Sequence, residues 1–167
     1  MKKLSLLILL VALPLMVSAQ TLKFGYFRYN EVLKSMKEYA IAQQEMAALR
    51  AKYDAETKRS ENDFHAKYED FLEGQRNFAP SILKKRQAEL QEMIDKNVAF
   101  KKETQRLLEQ AEKEAFAPAH RRLQTELEQM GRESGYAFIL NADNNTLPYV
   151  NNAVGEDITE ALKTVLK

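Results

Sequence analysis

From Tyr39 onward a mostly apolar stripe keeps three-four spacing: Tyr39, Ala42, Met46, Leu49 and Tyr53, then Ser60, Phe64, Tyr68 and Phe71. A second stretch repeats the spacing with Leu83, Leu90, Met93, Asn97, Phe100, Thr104, Leu107 and Ala111. Each stripe is narrow, as in a coiled-coil seam rather than the wide face of a globular helix. Between Gly25 and Gly131 the only glycine is Gly74 and the only prolines are Pro80 and Pro118, so helix breakers are almost absent. The pattern predicts two long antiparallel helices joined by a turn over 73–79, with Gly74 at positive φ and Pro80 in the first turn of the return helix. Residues 55–63 offer no large apolar side chain, and a bend or local breathing is expected there. Pro118 is expected to break or kink the return helix, because it lacks a donor and clashes with the preceding turn.

Strand-like patterns occur only at the chain ends. Residues 22–27 alternate apolar with small or polar positions, and 28–37 read as a short helix with Asn30 as its cap and Val32, Leu33 and Met36 as its apolar face. Beyond Pro118 the helix resumes until Gly131 and Gly135; a compact strand over 136–140, a turn over 141–146 and a second short strand over 147–150 follow. Asp157 is placed to cap a final helix over 158–166 whose apolar face is Ile158, Ala161, Leu162 and Val165. The fold class is thus α+β, mostly α: a long helical-hairpin arm over 38–118 with its tip at 73–80, on a small β body drawn from 20–37 and 119–167. So few strands make a small core, and no cysteine is present to staple it. Oligomerisation through open sheet edges is the expected solution, with Phe24, Tyr26, Tyr136, Phe138, Ile139 and Leu140 in the assembling body.

The first residues change the picture of where the chain works. Lys2 and Lys3 precede an apolar run from Leu4 to Met16, and Val17, Ser18 and Ala19 form a small-residue site, so 1–19 read as a cleavable secretory signal peptide. The apolar run is short for a membrane span and contains Pro14. With no cysteine after the site the chain is not a lipoprotein, and export points to the periplasm. Loss of the two lysines takes the formal charge from +1 to −1, which gives no general attraction to nucleic acid.

Chemistry is sparse. Five scattered glycines build no phosphate-binding or nucleophile-elbow pattern, and His65 and His120 stand on different helices with no cysteine to join them. Residues 141–145 open like a calcium loop but lack the glycine at the sixth position and the terminal glutamate, and read as a hairpin turn. Asn144, Asn145 and Thr146 match a glycosylation sequon, a pattern common by chance. Carboxylates lie among lysines and arginines at helix-surface spacing, as in Lys52/Glu56 and Glu109/Lys113. No enzyme, cofactor or metal is expected.

Two features can carry binding. The aromatics Phe64, Tyr68, Phe71 and Phe78 gather toward the tip, either as seam packing or as a surface for a guest chain, and Ile82, Ile94, Val98 and Leu108 lie off the main seam where a two-helix pair buries them poorly. At the same end Lys67, Arg76, Lys84, Lys85 and Arg86 outnumber Glu69, Asp70 and Glu73 by two, either an ordinary solvated tip or a weak attraction for acidic partners or anionic membrane lipid.

Taken in order, the signal peptide, the first strand, the long polar hairpin, the proline near its base, Gly135-Tyr136-Ala137-Phe138-Ile139-Leu140 and Asp157-Ile158-Thr159 resemble the Skp (OmpH-like) periplasmic chaperones. The resemblance implies a homotrimer whose strands form a small barrel and whose three arms enclose a cavity. It also implies ATP-independent holding of unfolded outer-membrane β-barrel proteins. The alternative from the residues alone is a coiled-coil structural or adaptor protein of the envelope that docks on a folded partner.

Overall fold

The computed structural model describes residues 22–167, so the signal peptide read over 1–19 lies outside the described residues. The order of elements is β1 (Phe24–Phe27), α1 (Tyr29–Ser35), α2 (Lys37–Gly74), α3 (Pro80–Ser134), β2 (Ile139–Asn141), β3 (Gly155–Asp157) and α4 (Thr159–Leu166). The chain divides into two compact units: one holds the described chain up to Val32 with Thr125–Val165, the other Leu33–Gln124 with Leu166–Lys167.

In the first unit β1 is the centre of a three-stranded sheet in the order β2-β1-β3. Both partners run parallel to β1, with Gly25 opposite Ile139 and Phe24 opposite Gly155. The hairpin expected over 141–146 is therefore not formed, since β2 and β3 lie on opposite sides of β1. No strand occupies 147–150; the third strand is Gly155–Asp157, and Tyr149 is 81% exposed. The expected strand over 136–140 begins only at Ile139, although Ala137 N–H already donates to the Lys23 carbonyl at 2.8 Å. The turn after β2 is a single 3-10 turn, Asp143–Asn145, in which Asn144 and Asn145 take φ of 54° and 58°. Short amide side chains tolerate that left-handed region better than most.

Asn30 is inside α1 and caps nothing. Its backbone N–H (3.0 Å) and side-chain amide (2.7 Å) both donate to Asp143, whose carboxylate takes up the first free donor of the helix from far along the chain. Asp157 does prepare α4: its Oδ1 accepts from the Thr159 N–H at 3.0 Å and from the Thr159 hydroxyl at 2.6 Å. Thr159 Oγ1 in turn accepts from the Arg28 N–H at 3.2 Å, so this buried hydroxyl is satisfied on both counts. The buried positions of α4 are Thr159, Leu162 and Leu166, preceded by Ile158; Val165 of the expected face is 51% exposed and Ala161 is also exposed. Ile158, Leu162 and Leu166 are buried at four-residue steps, with Thr159 beside Ile158.

Glycine decides two places. Gly131 continues α3, and the helix ends at Gly135, φ +66°, with Tyr136 N–H donating to the Gly131 carbonyl and Gly135 N–H to the Arg132 carbonyl. That is a Schellman termination. Gly74 does not adopt positive φ as expected; it closes α2 in helical geometry, and glycine suits the position because the Phe78 ring lies where a Cβ would stand.

In the second unit α2 and α3 form the predicted hairpin. Full burial is confined to its base, where Leu33, Met36, Ala42, Met46, Ala119, Leu123 and Leu166 are buried. From Ala47 to Pro118 every residue is exposed or only half-buried. The seam residues are the half-buried ones, among them Tyr53, Ser60, Phe64 and Phe71 on α2 and Leu90, Met93, Asn97, Phe100, Thr104, Leu107 and Ala111 on α3. The expected break at Pro118 is absent: α3 runs through it, and the lost hydrogen bond is offset by the burial of Ala119 and Leu123 just beyond. The expected weak stretch at 55–63 is helical too. α2 is unbroken there, and the seam is filled by Ser60, whose hydroxyl donates to Asn97 Oδ1, while Asn97 Nδ2 donates to the Ser60 carbonyl at 3.4 Å. Ion pairs cross between the helices at Glu38–Arg122 (2.5 Å), Arg50–Glu112 (2.8 Å) and Glu61–Lys101 (2.5 Å).

Replacing the polar pair by apolar residues, Ser60→Ala with Asn97→Leu, removes two groups that must stay bonded and should raise the melting temperature followed by circular dichroism by a few degrees. A lower melting temperature in that double variant would show that the pair stabilises the arm outright. In the first unit the Glu31 carboxyl is held below its ordinary 4.5, first by the hydrogen bond from Lys163 (2.9 Å) and then by Arg28 (3.3 Å). A depressed carboxylate contributes stability above its unfolded pKa and loses it as pH falls through the folded value. Acidification between about pH 5 and pH 3 should therefore destabilise this unit, and Glu31→Gln should flatten the dependence. An equally steep pH profile in Glu31→Gln would remove Glu31 from that role.

Candidate functional site

The residues that sequence reasoning assigned to binding all belong to the hairpin, and the structure sorts them into groups. The four aromatics form two pairs rather than one cluster. Phe64 and Tyr68 stack at 5.9 Å between centroids, while Phe78 folds back from the turn to lie 6.4 Å from Phe71. Tyr68, expected on the seam, is 42% exposed. The three-four spacing from Phe64 to Phe71 passes through Lys67, and Tyr68 stands one position beyond it.

Phe71 and Phe78 line a small cleft of about 130 Å³ between the helices, together with Lys67, Asp70, Arg86, Glu89, Leu90 and Met93. Glu89 binds both Arg86 (3.0 Å) and Lys85 (3.7 Å). The excess of two positive charges counted at the tip ignored this carboxylate, which stands just past Arg86, and is reduced to one. Among the described residues, Lys67, Arg76 and Lys84 of the five tip cations form no ion pair with a carboxylate, so the tip carries a modest positive charge.

Ile82, Ile94 and Val98 are exposed, Val98 most at 62%, and Leu108 is half-buried. Leu72, which sequence reasoning passed over, is 45% exposed. The cross-helix ion pairs show where these residues lie. Glu61 follows the seam residue Ser60, and Lys101 follows Phe100, so the flank they share is reached by stepping one position C-terminal from the seam on either helix. Arg50 and Glu112 obey the same rule, following Leu49 and Ala111. Ile94, Val98, Leu108 and Leu72 follow Met93, Asn97, Leu107 and Phe71, and fall on this flank. The opposite flank, one position before the seam, carries ion pairs within each helix, Glu56–Arg59, Glu92–Lys96 and Glu103–Arg106. The hairpin is two-sided, and the signal for it was in the sequence as the residues bordering the seam.

Toward the base, Tyr39 and Phe116 pack ring to ring at 5.0 Å. They form part of an open groove of about 770 Å³ with Gln43, Glu109, Glu112, Lys113, Ala117, His120 and Arg121. Sequence reasoning missed this groove because Phe116 was not placed on the seam.

The strand residues assigned to assembly lie in the first unit. Phe24 and Phe138 stack at 5.3 Å, and Phe138 is 43% exposed. Ile139 and Leu140 are on β2, at an edge of the sheet, and Tyr26 pairs with Leu140 from the central strand. Tyr136 lies under the Lys23 ammonium, 4.9 Å from the ring centroid, and Lys23 is paired with Glu156 at 2.8 Å. That hydrogen bond, followed by the one from Tyr136, holds the Glu156 carboxyl below its ordinary value. Among the described residues no group of three or more His, Asp or Glu side chains is placed to hold a metal ion, and no helix is long and apolar enough to cross a membrane.

Comparison with known proteins adds the family. No curated protein matches the chain. Among solved structures, that of an OmpH-like protein from Caulobacter crescentus CB15, named as a candidate outer membrane chaperone, superposes with a TM-score of 0.72 at 17% identity. The match covers 86% of this chain and 82% of that one. At that identity the likeness establishes the fold. The family model of outer membrane proteins described as OmpH-like matches residues 23–166, nearly all that the structure describes, and the chain belongs to that family.

Proposed function

We propose that this protein is a periplasmic holdase: it binds unfolded outer-membrane β-barrel proteins and keeps them from aggregating, without nucleotide. The observation that carries the reading is the hairpin between Ala47 and Pro118. It is helical on both sides of its turn, buries no residue fully, and presents Tyr68, Leu72, Ile94 and Val98 to solvent. A soluble chain that leaves large apolar side chains on a two-helix seam has a surface suited to weak contacts with apolar segments of another chain. Clients without fixed shape cannot use a complementary pocket, so many adaptable contacts suit them better than one rigid site. Membership in the OmpH-like family supports the same reading.

The working form is a homotrimer. The first unit has a three-stranded sheet with both edges available, an exposed Phe138 and a short core, and association through β2 and β3 would close those edges. Three copies would bring three arms around one client. The modest positive tip adds a weak attraction for acidic clients or anionic membrane lipid. A second reading, an envelope adaptor docking on one folded partner, draws on the unbroken helices and the cross-helix ion pairs, which favour a fixed register.

Purified protein, with trimer in slight excess, should suppress the light scattering of an unfolded β-barrel protein diluted from denaturant, with no nucleotide present. No suppression would contradict the holdase, and capture of one folded partner with barrels ignored would favour the adaptor. Light scattering should give the mass of three copies, and Ile139→Asp should give smaller species; an unchanged mass in that variant would take β2 out of the assembly.

A further inference from the structure

The flank marked by Glu61–Lys101 and Arg50–Glu112 is not uniformly apolar. Its exposed and aromatic apolar side chains fall into two stations, with the half-buried Leu108 and paired charges between them. The register is uniform along the flank: one heptad tipward of Glu61 stands Tyr68, and one heptad tipward of Lys101 stands Ile94. Tyr68 and Ile94 thus occupy the next facing position, with Leu72 on one side and Val98 on the other. The second station is the groove at Tyr39 and Phe116, beyond Arg50–Glu112. Phe116 follows Ala115 and Gln43 follows Ala42, so the groove continues the same flank.

We infer that this flank is a two-station track for one extended, unfolded segment about ten residues long, with large apolar or aromatic side chains toward both of its ends. The inference rests on the holdase reading and names the piece of client that one arm takes. Three observations select this occupant. The helical rise from Ile94 to Phe116 is about 33 Å, a distance that an extended chain covers in about ten residues. That is the length of one barrel strand, which spans a membrane in about 9–11 residues and carries aromatic girdles near both ends. Each station is a handful of half-exposed side chains, far short of the roughly 800 Å² per partner that a stable folded interface buries. The two stations are weak singly, and a segment that reaches both gains from their linkage. Finally, the charges between them neutralise each other in pairs, so the flank attracts no particular charge and an uncharged segment can lie across it. Over the same stretch the opposite flank carries the ion pairs Glu92–Lys96 and Glu103–Arg106, and its exposed isoleucines, Ile41 and Ile82, lie at its two far ends.

The test uses the full chain and labelled synthetic peptides of a Ser/Thr/Asn background, followed by fluorescence anisotropy. One peptide carries two Tyr-Leu clusters about ten residues apart, a second carries the same clusters adjacent, and a third carries one cluster only. The spaced peptide should bind at least about tenfold tighter than the other two. Ile94→Ser with Val98→Ser, both exposed and therefore mild for folding, should abolish that advantage while helicity stays unchanged. Glu92→Ser with Lys96→Ser on the opposite flank should keep it. Equal affinity for all spacings, equal loss from both double variants, or no peptide binding because a second copy covers the flank would each overturn the track. If the wild-type protein suppresses aggregation yet ignores peptide spacing, the track fails and the holdase stands; if it suppresses nothing, the holdase fails whatever the peptides do.

Discussion

Two helices packed only against each other can bury a seam and nothing more, and the rest of this molecule follows from that limit. Beyond Met46 on α2 and before Ala119 on α3 no side chain is fully buried. The arm is held by half-buried contacts such as Tyr53 against Phe100 (6.4 Å), by the Ser60–Asn97 pair, and by ion pairs across the seam. None of these is strong alone, because exposed ion pairs contribute little and the seam excludes water only partly. The same thinness leaves the bordering residues in solvent. Where the border is charged it serves solubility; where it holds Ile94, Val98 and Leu72 it leaves large apolar side chains in solvent.

The first unit obeys a different constraint. Its strands of three and four residues are too short to specify their pairing alone, and they are held by side chains reaching from distant parts of the sequence. Asp143 receives two donors from Asn30, Thr159 links the start of α1 to the start of α4, and Lys163 binds Glu31. Parallel pairing of both neighbours with β1 places the sheet's two edges on β2 and β3. Those edges are what an assembly of copies would use.

The hairpin was legible in the sequence because each helix repeats its own pattern over many turns. Pro80 at the helix start, the seam spacing and the exposure of Ile82, Ile94 and Val98 are local consequences of that pattern. The sheet was legible only in part. A three-residue strand such as Gly155–Asp157, with two acidic residues, has no alternation to read, while the apolar Leu147 to Val150 stretch has the right composition and no strand to pair with. Pro118 and the 55–63 stretch were misread for a common reason: local propensity counts the missing donor or the missing apolar side chain, and cannot see Ala119 and Leu123 buried beside the one or Asn97 meeting Ser60 across the other. The two-sidedness of the arm was present in the residues adjoining the seam, yet it needed the Glu61–Lys101 and Arg50–Glu112 pairs to show which borders coincide.

The central claim is that the arm's apolar flank touches the client. A photoreactive side chain introduced at Val98, and separately at Glu92 on the opposite flank, distinguishes the two faces in the assembled protein holding an unfolded β-barrel protein. Client cross-links from position 98 should stand well above those from position 92. Equal yields from the two, or cross-links from position 98 only to other copies of the chain, would contradict it.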